Sequence, residues 1–267
     1  MTIINILTYN VCWECIAGES KKGSANKYGE KCSKTKKING KNLCFRNISK
    51  ISSFKKFDII GLQEGNISLA KNIIKKIGKN YKMIYNKSCK EYSIIIYNTN
   101  LLKRKDKIIS GFIEECGRPF LFQKFINLEN NKEIIIGNFH GPHLEEDWVT
   151  KYIQKCEKLL NTNSQLIIMG DFNKKLKKKY ILKKSKINLR PINLKIKTCI
   201  KDKNIKKIKE NDYNESIDNI LISKNIKILN GPETLSSQNN KILPLDFNFK
   251  LSNYTSDHRP IATTLLI

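Results

Sequence analysis

Leu166-Ile167-Ile168-Met169-Gly170-Asp171-Phe172-Asn173 is a short apolar run that ends in an acidic and an amide side chain. Apolar runs of this length, bounded by polar residues, are typical of buried strands. Ser256-Asp257-His258 shows the reverse order, because it comes just before the apolar run 261–267. Polar groups at the end of a buried strand face the rim of a sheet, where the scaffold holds them rigidly. Both stretches therefore predict a functional edge of a sheet.

Two further stretches follow the first pattern. Asp58-Ile59-Ile60-Gly61-Leu62 leads to Gln63-Glu64, and Glu133-Ile134-Ile135-Ile136-Gly137 leads to Asn138-Phe139-His140. The three histidines of the chain, His140, His143 and His258, all lie inside these polar clusters. We therefore expect the ends of several strands to gather their polar side chains into one site, with His143 as an ordinary polar residue.

The order of the predicted elements favours an α/β protein built from packed sheets. Helices are predicted at about 45–56, 67–78 and 146–161. Strands are predicted at 3–9, 58–62, 93–97, 120–127, 133–139, 166–170, 217–222 and 260–266. Many of these strands follow one another directly, which fits sheets packed on each other with helices outside and not a doubly wound parallel sheet. The polar clusters span residues 10–258 without a linker, so we expect a single domain, 1–267.

Three polar segments are predicted to be loops, at 17–43, 174–186 and 201–214. The first of them forms most of a Cys/Lys-rich loop at about 16–44. The 174–186 segment carries eight lysines and directly follows Asn173. It either flanks the site and attracts a phosphate backbone or is an ordinary solvated face.

The formal net charge of +26 favours a polyanionic partner such as nucleic acid or an anionic membrane surface. A/T-rich codon usage, which favours Lys, Asn and Ile, explains the lysine content equally well. No apolar run reaches the roughly 18 residues of a transmembrane helix. The first ten residues lack a basic region and a cleavage site, so we expect an intracellular protein, cytoplasmic or nuclear.

Eight cysteines are present. Cys12-x2-Cys15 together with Cys32 and Cys44 is one candidate zinc site, although the second pair lacks the close spacing of common zinc sites. Without a secretory signal, we expect ordinary reduced thiols. A local disulfide within 16–44 is the next alternative.

The polar residues of the clusters favour phosphate-ester hydrolysis. Their carboxylate and amide oxygens suit Mg²⁺ or Mn²⁺. A histidine beside a carboxylate can act as a general base. The chain has no Gly-x-Ser-x-Gly elbow, no Walker-type phosphate loop and no Rossmann fingerprint, which argues against serine-hydrolase and nucleotide-binding classes. The candidate residues are Asn10, Glu64, His140, Asp171, Asn173, Asp218, Asp257 and His258.

Six motifs, in this order along the chain, resemble those of the endonuclease/exonuclease/phosphatase, or DNase-I-like, superfamily. They are Thr8-Tyr9-Asn10, Leu62-Gln63-Glu64, Asn138-Phe139-His140, Gly170-Asp171-Phe172-Asn173, Ser216-Ile217-Asp218-Asn219-Ile220-Leu221 and Ser256-Asp257-His258-Arg259-Pro260. The resemblance implies a four-layer α/β/β/α sandwich of two packed mixed sheets with outer helices. It also implies a Mg²⁺ or Mn²⁺ cofactor.

The resemblance implies a metal site and a general base. Glu64 is expected to be the principal metal ligand, with Asn10 and Asp257 assisting. His258 is expected to take a proton from the attacking water, with Asp218 orienting its ring.

The remaining motif residues are implied to act on the phosphate. Asp171 and Asn173 are expected to position the nucleophile and the leaving group. His140 is expected to stabilise charge on the phosphoryl oxygens. Arg118 is expected to do the same, because Arg118-Pro119 resembles, more weakly, a phosphate-contacting arginine of some subgroups. Some AP endonucleases carry an acid two positions after the first Asn, where this chain has Cys12, so that subtype is disfavoured.

The function expected from these residues is a divalent-metal-dependent phosphoesterase, and first of all a nuclease that hydrolyses nucleic-acid phosphodiesters. One alternative is a phosphatase acting on a phosphoinositide or another phosphomonoester. A second alternative is a basic nucleic-acid-binding module that kept the fold without the chemistry.

Overall fold

The computed structural model describes residues 1–17, 27–87, 91–113, 117–143, 148–160, 164–176, 180–182, 187–193, 195–200, 213–234 and 255–267. Parts of the predicted lysine-rich and polar loops, 177–179, 183–186 and 201–212, lie outside the described residues, as do Cys89 and Cys116.

The described residues form helices and strands at these positions. The α-helices are α1 (Trp13–Ala17), α2 (Lys27–Ser33), α3 (Leu43–Ser52), α4 (Ile67–Ile77) and α5 (Trp148–Lys155), which a 3-10 helix at Cys156–Leu159 continues. The strands are β1 (Ile3–Asn10), β2 (Ile59–Gly65), β3 (Tyr81–Lys87), β4 (Tyr92–Asn98), β5 (Leu102–Ile113), β6 (Arg118–Asn127), β7 (Glu133–His140), β8 (Gln165–Asp171), β9 (Tyr180–Leu182), β10 (Ile187–Pro191), β11 (Cys199–Ile200), β12 (Tyr213–Glu215), β13 (Asp218–Ser223), β14 (Lys227–Thr234) and β15 (Ile261–Leu266).

The strands form two large mixed sheets. The six-stranded sheet has the order β14-β15-β1-β2-β4-β3, and the seven-stranded sheet has the order β5-β6-β7-β8-β13-β10-β9. In the first sheet β1 is parallel to β2, and in the second β7 is parallel to β8, whereas their other neighbours run antiparallel. The short strands β11 and β12 pair with each other.

Three apolar clusters hold the layers together. The central cluster lies between the sheets and joins Ile4 of β1 to Ile134 of β7. Leu7, which points to the opposite face of β1, packs with residues of α3 and α4. Ile135, on the opposite face of β7, packs with residues of α5. Because successive side chains of a strand point to opposite faces, each sheet supplies both an inner and an outer core, and the predicted four-layer α/β/β/α sandwich is confirmed.

The eight predicted strands and three predicted helices are all present, with shifted ends. Seven of the fifteen described strands have no counterpart among the predictions, and they include the four edge strands of the large sheets, β3, β5, β9 and β14. Residues 103–107 of β5 are all exposed and all charged. Charged side chains on an edge strand discourage pairing with another molecule, and they also remove the apolar alternation by which a strand is recognised. No helix of the described residues is both long and apolar enough to cross a bilayer.

The expectation of a loop at 16–44 is wrong for much of that segment, because it contains α2 and the start of α3. Cys32 and Cys44 form a disulfide, so the expectation of reduced thiols is wrong for this pair and the alternative of a local disulfide is correct. A zinc site made by these two cysteines with Cys12 and Cys15 is also wrong, because two of the four sulfurs are bonded to each other.

Candidate active site

Three candidate residues end their strands at one edge of the sandwich. Asn10 is the last residue of β1, His140 of β7 and Asp171 of β8. His140 pairs with Asp171 in the parallel register of β7 and β8. By the two-residue period of a strand, Asn10 shares the inner face of β1 with Ile4 and Ile6. The alternation that builds the central core therefore also aims these polar side chains between the sheets.

Antiparallel strands bring their starts to the same edge. Asp218 begins β13 and pairs with Asp171 at the end of β8. Arg118 begins β6, and His258 lies three residues before β15. Strand direction thus explains why some polar clusters follow their apolar run in the sequence and others precede it. Both kinds of polar cluster therefore lie at the same edge of the sandwich.

A bulge turns Glu64 toward the cleft. Simple alternation would place Glu64 on the outer face of β2 with Ile60 and Leu62, which pack in the outer cluster under the helices. The β2–β4 register shifts between Leu62 and Gly65, and Glu64 has φ 55°. A bulge redirects a side chain at the end of a strand, and a non-glycine residue at positive φ stores strain that often accompanies function.

Asn10 links the two central carboxylates. Its Nδ2 donates to Glu64 Oε1 at 3.2 Å and to Asp171 Oδ2 at 2.9 Å. His140 Nε2 lies 3.6 Å from the same Glu64 oxygen and 3.5 Å from the same Asp171 oxygen. Residues from β1, β2, β7 and β8 thus meet within a few ångströms, across both sheets.

The turn after β1 holds Asn10 and Glu64 from behind. The Cys12 backbone N–H donates to Asn10 Oδ1 at 3.0 Å, and the Trp13 backbone N–H donates to Glu64 Oε2 at 2.9 Å. Cys12 itself has φ 54°. These two backbone donors leave Glu64 Oε1 directed at Asn10 and His140.

His258 and Asp218 form a buried pair. His258 Nδ1 lies 2.8 Å from Asp218 Oδ2, while His258 Nε2 lies 3.7 Å from Asp171 Oδ2. An ionised carboxylate only accepts hydrogen bonds, so this contact favours the hydrogen on Nδ1 and leaves Nε2 as the proton-accepting atom of the neutral ring. Ser256 Oγ fixes this turn, because it donates to Asn10 O at 2.7 Å and accepts from the His258 N–H at 3.1 Å.

Glu91 is a site residue that the sequence analysis did not nominate. Its Oε2 lies 3.2 Å from His140 Nδ1, and its Oε1 lies 3.9 Å from Arg118 Nη1. The Arg118 guanidinium also contacts the His140 ring. Glu91 immediately precedes β4, so the signal was an acid ahead of an apolar strand, as with Asp257 and His258.

Burial and charge shift the two histidines in opposite directions. Burial lowers the pKa of His140 to about 4, although the charges of Glu64 and Asp171 act the other way. Burial also lowers the pKa of His258, but the charges of Asp218, Cys199 and Asp171 outweigh it and raise that pKa well above its ordinary value. The two imidazoles of the cleft therefore differ in basicity, His140 being the weaker base and His258 the stronger.

Burial raises the pKa of the two glutamates in the cleft. For Glu64, the negative charges of Glu91 and Asp257 add to the rise, while His140 opposes it. For Glu91, the Arg118 charge opposes the rise and Asp171 adds to it. The cleft thus concentrates negative charge that favours a cation.

Close backbone packing orients Asp171 and Asn173. A Cβ on Gly170 would lie 2.1 Å from the Phe139 carbonyl oxygen, so only glycine allows β7 and β8 to approach this closely. The Asn173 N–H donates to Asp171 Oδ1 at 2.8 Å, and Asn173 Nδ2 donates to Gly141 O at 2.7 Å. Asn173 therefore shapes the turn that presents Asp171, with its own side chain anchored to backbone.

A layer of buried polar side chains supports the site from below. Gln63 Nε2 donates to Thr8 Oγ1 at 3.0 Å and to Asn138 Oδ1 at 2.6 Å. Asn138 Nδ2 in turn donates to Ser93 Oγ and to the backbone carbonyls of Leu62 and Ile94. These bonds tie strands of both sheets together one layer beneath the cleft and satisfy polar groups that burial would otherwise leave unpaired.

Asp257 and His143 occupy more peripheral positions than the other candidates. Asp257 Oδ1 accepts from Ser256 Oγ at 3.3 Å, and its charge reaches Glu64, whose pKa it raises. His143 is exposed. Trp148 packs in the outer core, edge-to-face against Phe139 and stacked on Phe172.

Solved structures, but no family model and no curated protein, match this chain. An endonuclease/exonuclease/phosphatase from Bacteroides vulgatus is 16% identical, with a TM-score of 0.67 and 100% of both chains covered. A mannosyl-6-phosphatase from Bacteroides thetaiotaomicron is 18% identical, with a TM-score of 0.60 over 99% of this chain and 100% of the other. The chain has the endonuclease/exonuclease/phosphatase fold. TDP2 from D. rerio, complexed with single strand DNA product, is 12% identical, with a TM-score of 0.61 and 100% of both chains covered.

The donor atoms in this endonuclease/exonuclease/phosphatase fold suit a hard divalent cation. Ligand atoms of Glu64, Glu91 and His140 all lie within 4.8 Å of one another, as do those of Asp171, Asp218 and His258. Most of these atoms are carboxylate oxygens, which Mg²⁺ and Mn²⁺ prefer. The residues present therefore fit such an ion, and Glu64 and Asp171 each lie beside both Asn10 and His140.

Proposed function

We propose that this protein is a divalent-metal-dependent phosphoesterase that hydrolyses nucleic-acid phosphodiesters, with residues 1–267 acting as one domain. One observation carries the proposal. His258, paired through Nδ1 with Asp218 at 2.8 Å, directs Nε2 at a carboxylate cluster that Asn10 joins to Glu64. A base and a cation-binding acid thus share one cleft in which a phosphate group can be attacked.

His258 has the geometry of a general base. Asp218 fixes the ring orientation and stabilises the imidazolium that forms when Nε2 takes a proton from water. Asp171, 3.7 Å from Nε2, is placed to accept a hydrogen bond from the same water and so to orient it. Asn173 holds Asp171 in that position through its backbone N–H.

Glu64 is proposed as the principal metal ligand, with Asn10 and Asp257 assisting. When bound, such an ion would neutralise part of the negative charge that builds up on the phosphoryl oxygens. Trp13 positions one oxygen of Glu64 through its backbone N–H, which leaves the other to face the cleft. Glu91 lies near enough to add a second carboxylate.

His140 and Arg118 are proposed to bind the phosphoryl oxygens. Glu91 contacts both side chains and holds them on one wall of the cleft. Burial keeps the His140 ring neutral, so the positive charge on this wall is that of Arg118. Arg118 supplies a fixed positive charge whose planar fork suits phosphate oxygens.

A lysine-lined groove beside α4 supports nucleic acid as the substrate. Its volume is about 430 Å³, and its lining residues are Lys41, Ile67, Ser68, Lys71, Asn72 and Lys75. Ile67 lies three positions after Glu64, so the groove begins at most about 11 Å along the chain from the cleft. Burial lowers the pKa of Lys76, and the positive charges of Lys41 and Lys50 lower it further, as expected where several lysines lie close together. A polyanionic strand that occupies the cleft can continue along this groove.

Reversing the charges of the groove should weaken binding of single-stranded DNA. We expect the combined variant Lys41→Glu, Lys71→Glu and Lys75→Glu to lower affinity. The slope of log affinity against log salt should fall by about 2, because each lost single-strand phosphate contact removes about 0.7. Fluorescence anisotropy with a labelled oligonucleotide, titrated at several salt concentrations in EDTA, measures both quantities.

A matched control has the same change of net charge at a distant place. Lys103, Lys132 and Lys227 are exposed and lie at or beside the strand ends opposite the cleft. Their combined reversal to Glu should leave the salt slope nearly unchanged. Equal losses in the two triple variants would mean that overall charge, and not this groove, attracts the strand.

A phosphomonoester is the second candidate substrate, because the mannosyl-6-phosphatase shares the fold. A panel of single-stranded DNA, duplex DNA, RNA, inositol phosphates and a sugar phosphate separates the two candidates. We expect cleavage of a nucleic acid that requires Mg²⁺ or Mn²⁺, and we expect EDTA to abolish this cleavage. Release of inorganic phosphate from the small substrates alone would replace the first candidate by the second. Binding without hydrolysis in every metal would favour the non-catalytic module.

A further inference from the structure

Cys12 and Cys15 lie directly behind the cleft. Cys12 precedes α1 and Cys15 lies within it, and the Cys15 N–H donates to Cys12 O at 2.9 Å. Both side chains are buried, and their Sγ atoms are 2.7 Å apart. A disulfide joins sulfurs at about 2.05 Å, so a bond requires them to approach by only about 0.7 Å more.

Cys32 and Cys44 show that this part of the core accommodates oxidised sulfur. They are as deeply buried as Cys12 and Cys15, and all four belong to the same apolar cluster. Their disulfide shows that two cysteines buried in this cluster can be bonded to each other. Such a bond can form while the chain is folding, when the thiols are still accessible.

We propose that Cys12 and Cys15 form a second disulfide, which clamps the turn that holds Asn10 and Glu64. In the reaction, each thiol loses one hydrogen and a sulfur–sulfur bond forms. A low-molecular-weight disulfide such as oxidised glutathione takes up the two electrons and two protons and becomes two thiols.

The clamp acts through two backbone donors. The Cys12 N–H binds Asn10 Oδ1, and the Trp13 N–H binds Glu64 Oε2. One donor belongs to Cys12 and the other to Trp13, which lies between Cys12 and Cys15. A disulfide between Cys12 and Cys15 therefore restrains the positions of both donors. This coupling to the cleft rests on the proposed function, in which Asn10 and Glu64 bind the metal, whereas the bond itself does not.

Disulfide mapping tests the bond on the full-length protein. The protein is refolded in a mixture of reduced and oxidised glutathione, its remaining thiols are alkylated, and tryptic peptides are analysed by mass spectrometry. Cys12 and Cys15 share one peptide that ends at Lys21, whereas Cys32 and Cys44 lie on two different peptides. We expect the first peptide to be internally bridged. Recovery of Cys12 and Cys15 alkylated, in protein whose Cys32–Cys44 bridge is intact, would overturn the inference.

Direct Mn²⁺ binding, measured by electron paramagnetic resonance of the free ion, tests the coupling. Residues that orient metal ligands typically change affinity by about 10–100-fold, so Cys15→Ser should bind Mn²⁺ about tenfold more weakly than the bridged wild type. Cys156→Ser, which alters a buried thiol in the other outer core, should bind like wild type. Equal affinity of Cys15→Ser and wild type would refute the clamp. Failure of every form to bind Mn²⁺ would count against the proposed function, and peptide mapping would still decide whether the bond exists.

Discussion

Replacing His258 by alanine should lower kcat by about 10²–10⁴-fold, the usual contribution of a positioned general base. The loss should be seen on whichever substrate the panel identifies, with saturating metal. His258 is the only described imidazole that is paired with Asp218 and faces Asp171, so no second base replaces it. Turnover within about tenfold of wild type would remove His258 from the role proposed here.

Two companion variants separate chemistry from folding. His258→Ala leaves the Asp218 carboxylate buried without its partner, and breaking a buried pair in this way costs about 3–5 kcal/mol of stability. Adding Asp218→Asn removes the stranded charge, so the double variant should regain stability while staying inactive. His143→Ala changes an exposed histidine and should keep near-wild-type activity. Circular dichroism and urea unfolding of all three variants check these expectations.

Glu64→Gln should lower activity by more than about 100-fold, because even residues that merely orient a metal ligand cost about 10–100-fold when changed. The same variant should be more stable than wild type in the absence of metal. Glu64 lies close to the negative charges of Glu91 and Asp257, and burial raises its pKa. An uncharged amide of the same shape avoids that unfavourable charge.

The stability difference should depend on pH in a defined direction. A raised pKa means that the folded protein holds the proton more tightly than the unfolded chain does. The stabilisation that comes from this tighter proton binding is present below pH 4.5, the ordinary pKa of a glutamate. It is lost as the pH rises through the higher pKa that Glu64 has in the folded protein. The amide introduced by Glu64→Gln has no proton to lose, so the advantage of the variant should be small at acidic pH and grow toward neutral pH. Urea unfolding in EDTA at several pH values measures it.

Unchanged metal affinity in Glu64→Gln would contradict the role of Glu64 as principal ligand. If Glu64→Gln had a lower free energy of unfolding than wild type at neutral pH in EDTA, the explanation by charge repulsion at Glu64 would be contradicted. Asp58→Asn is a useful control, because Asp58 lies at the opposite end of β2, where it binds Asn5 and Asn98. It should alter stability without altering metal affinity.

Strands at the sheet centres were predictable because they are apolar on both faces. β7 and β8 read as continuous apolar runs, and the structure buries both faces of each strand. β5 was not predictable, since an edge strand has one face and one side in water and carries charge there. The Cys32–Cys44 disulfide was only one alternative, because spacing alone does not say which sulfurs meet.

The candidate site was predictable only where polarity interrupts an apolar pattern. Asp218 was nominated from its motif in an apolar run. A buried carboxylate beside such a strand needs a partner, and His258 is that partner. Glu91 precedes an apolar run, as Asp257 does, but it was not nominated because it is a single acid among polar and charged neighbours. Its role depends on β4 running antiparallel to β2, which brings the start of β4 to the cleft.

The layers follow from the amino-acid pattern, because the two-residue alternation of strands and the apolar faces of helices dictate what is buried. The same pattern also shows which polar residues lie at strand ends. Which of these residues meet depends on the packing of the two sheets, since residues as distant in sequence as Asn10 and Asp171 become neighbours across them. The fold also turns Glu64 into the cleft, because the bulge in β2 breaks the very alternation from which a side chain's direction is otherwise predicted.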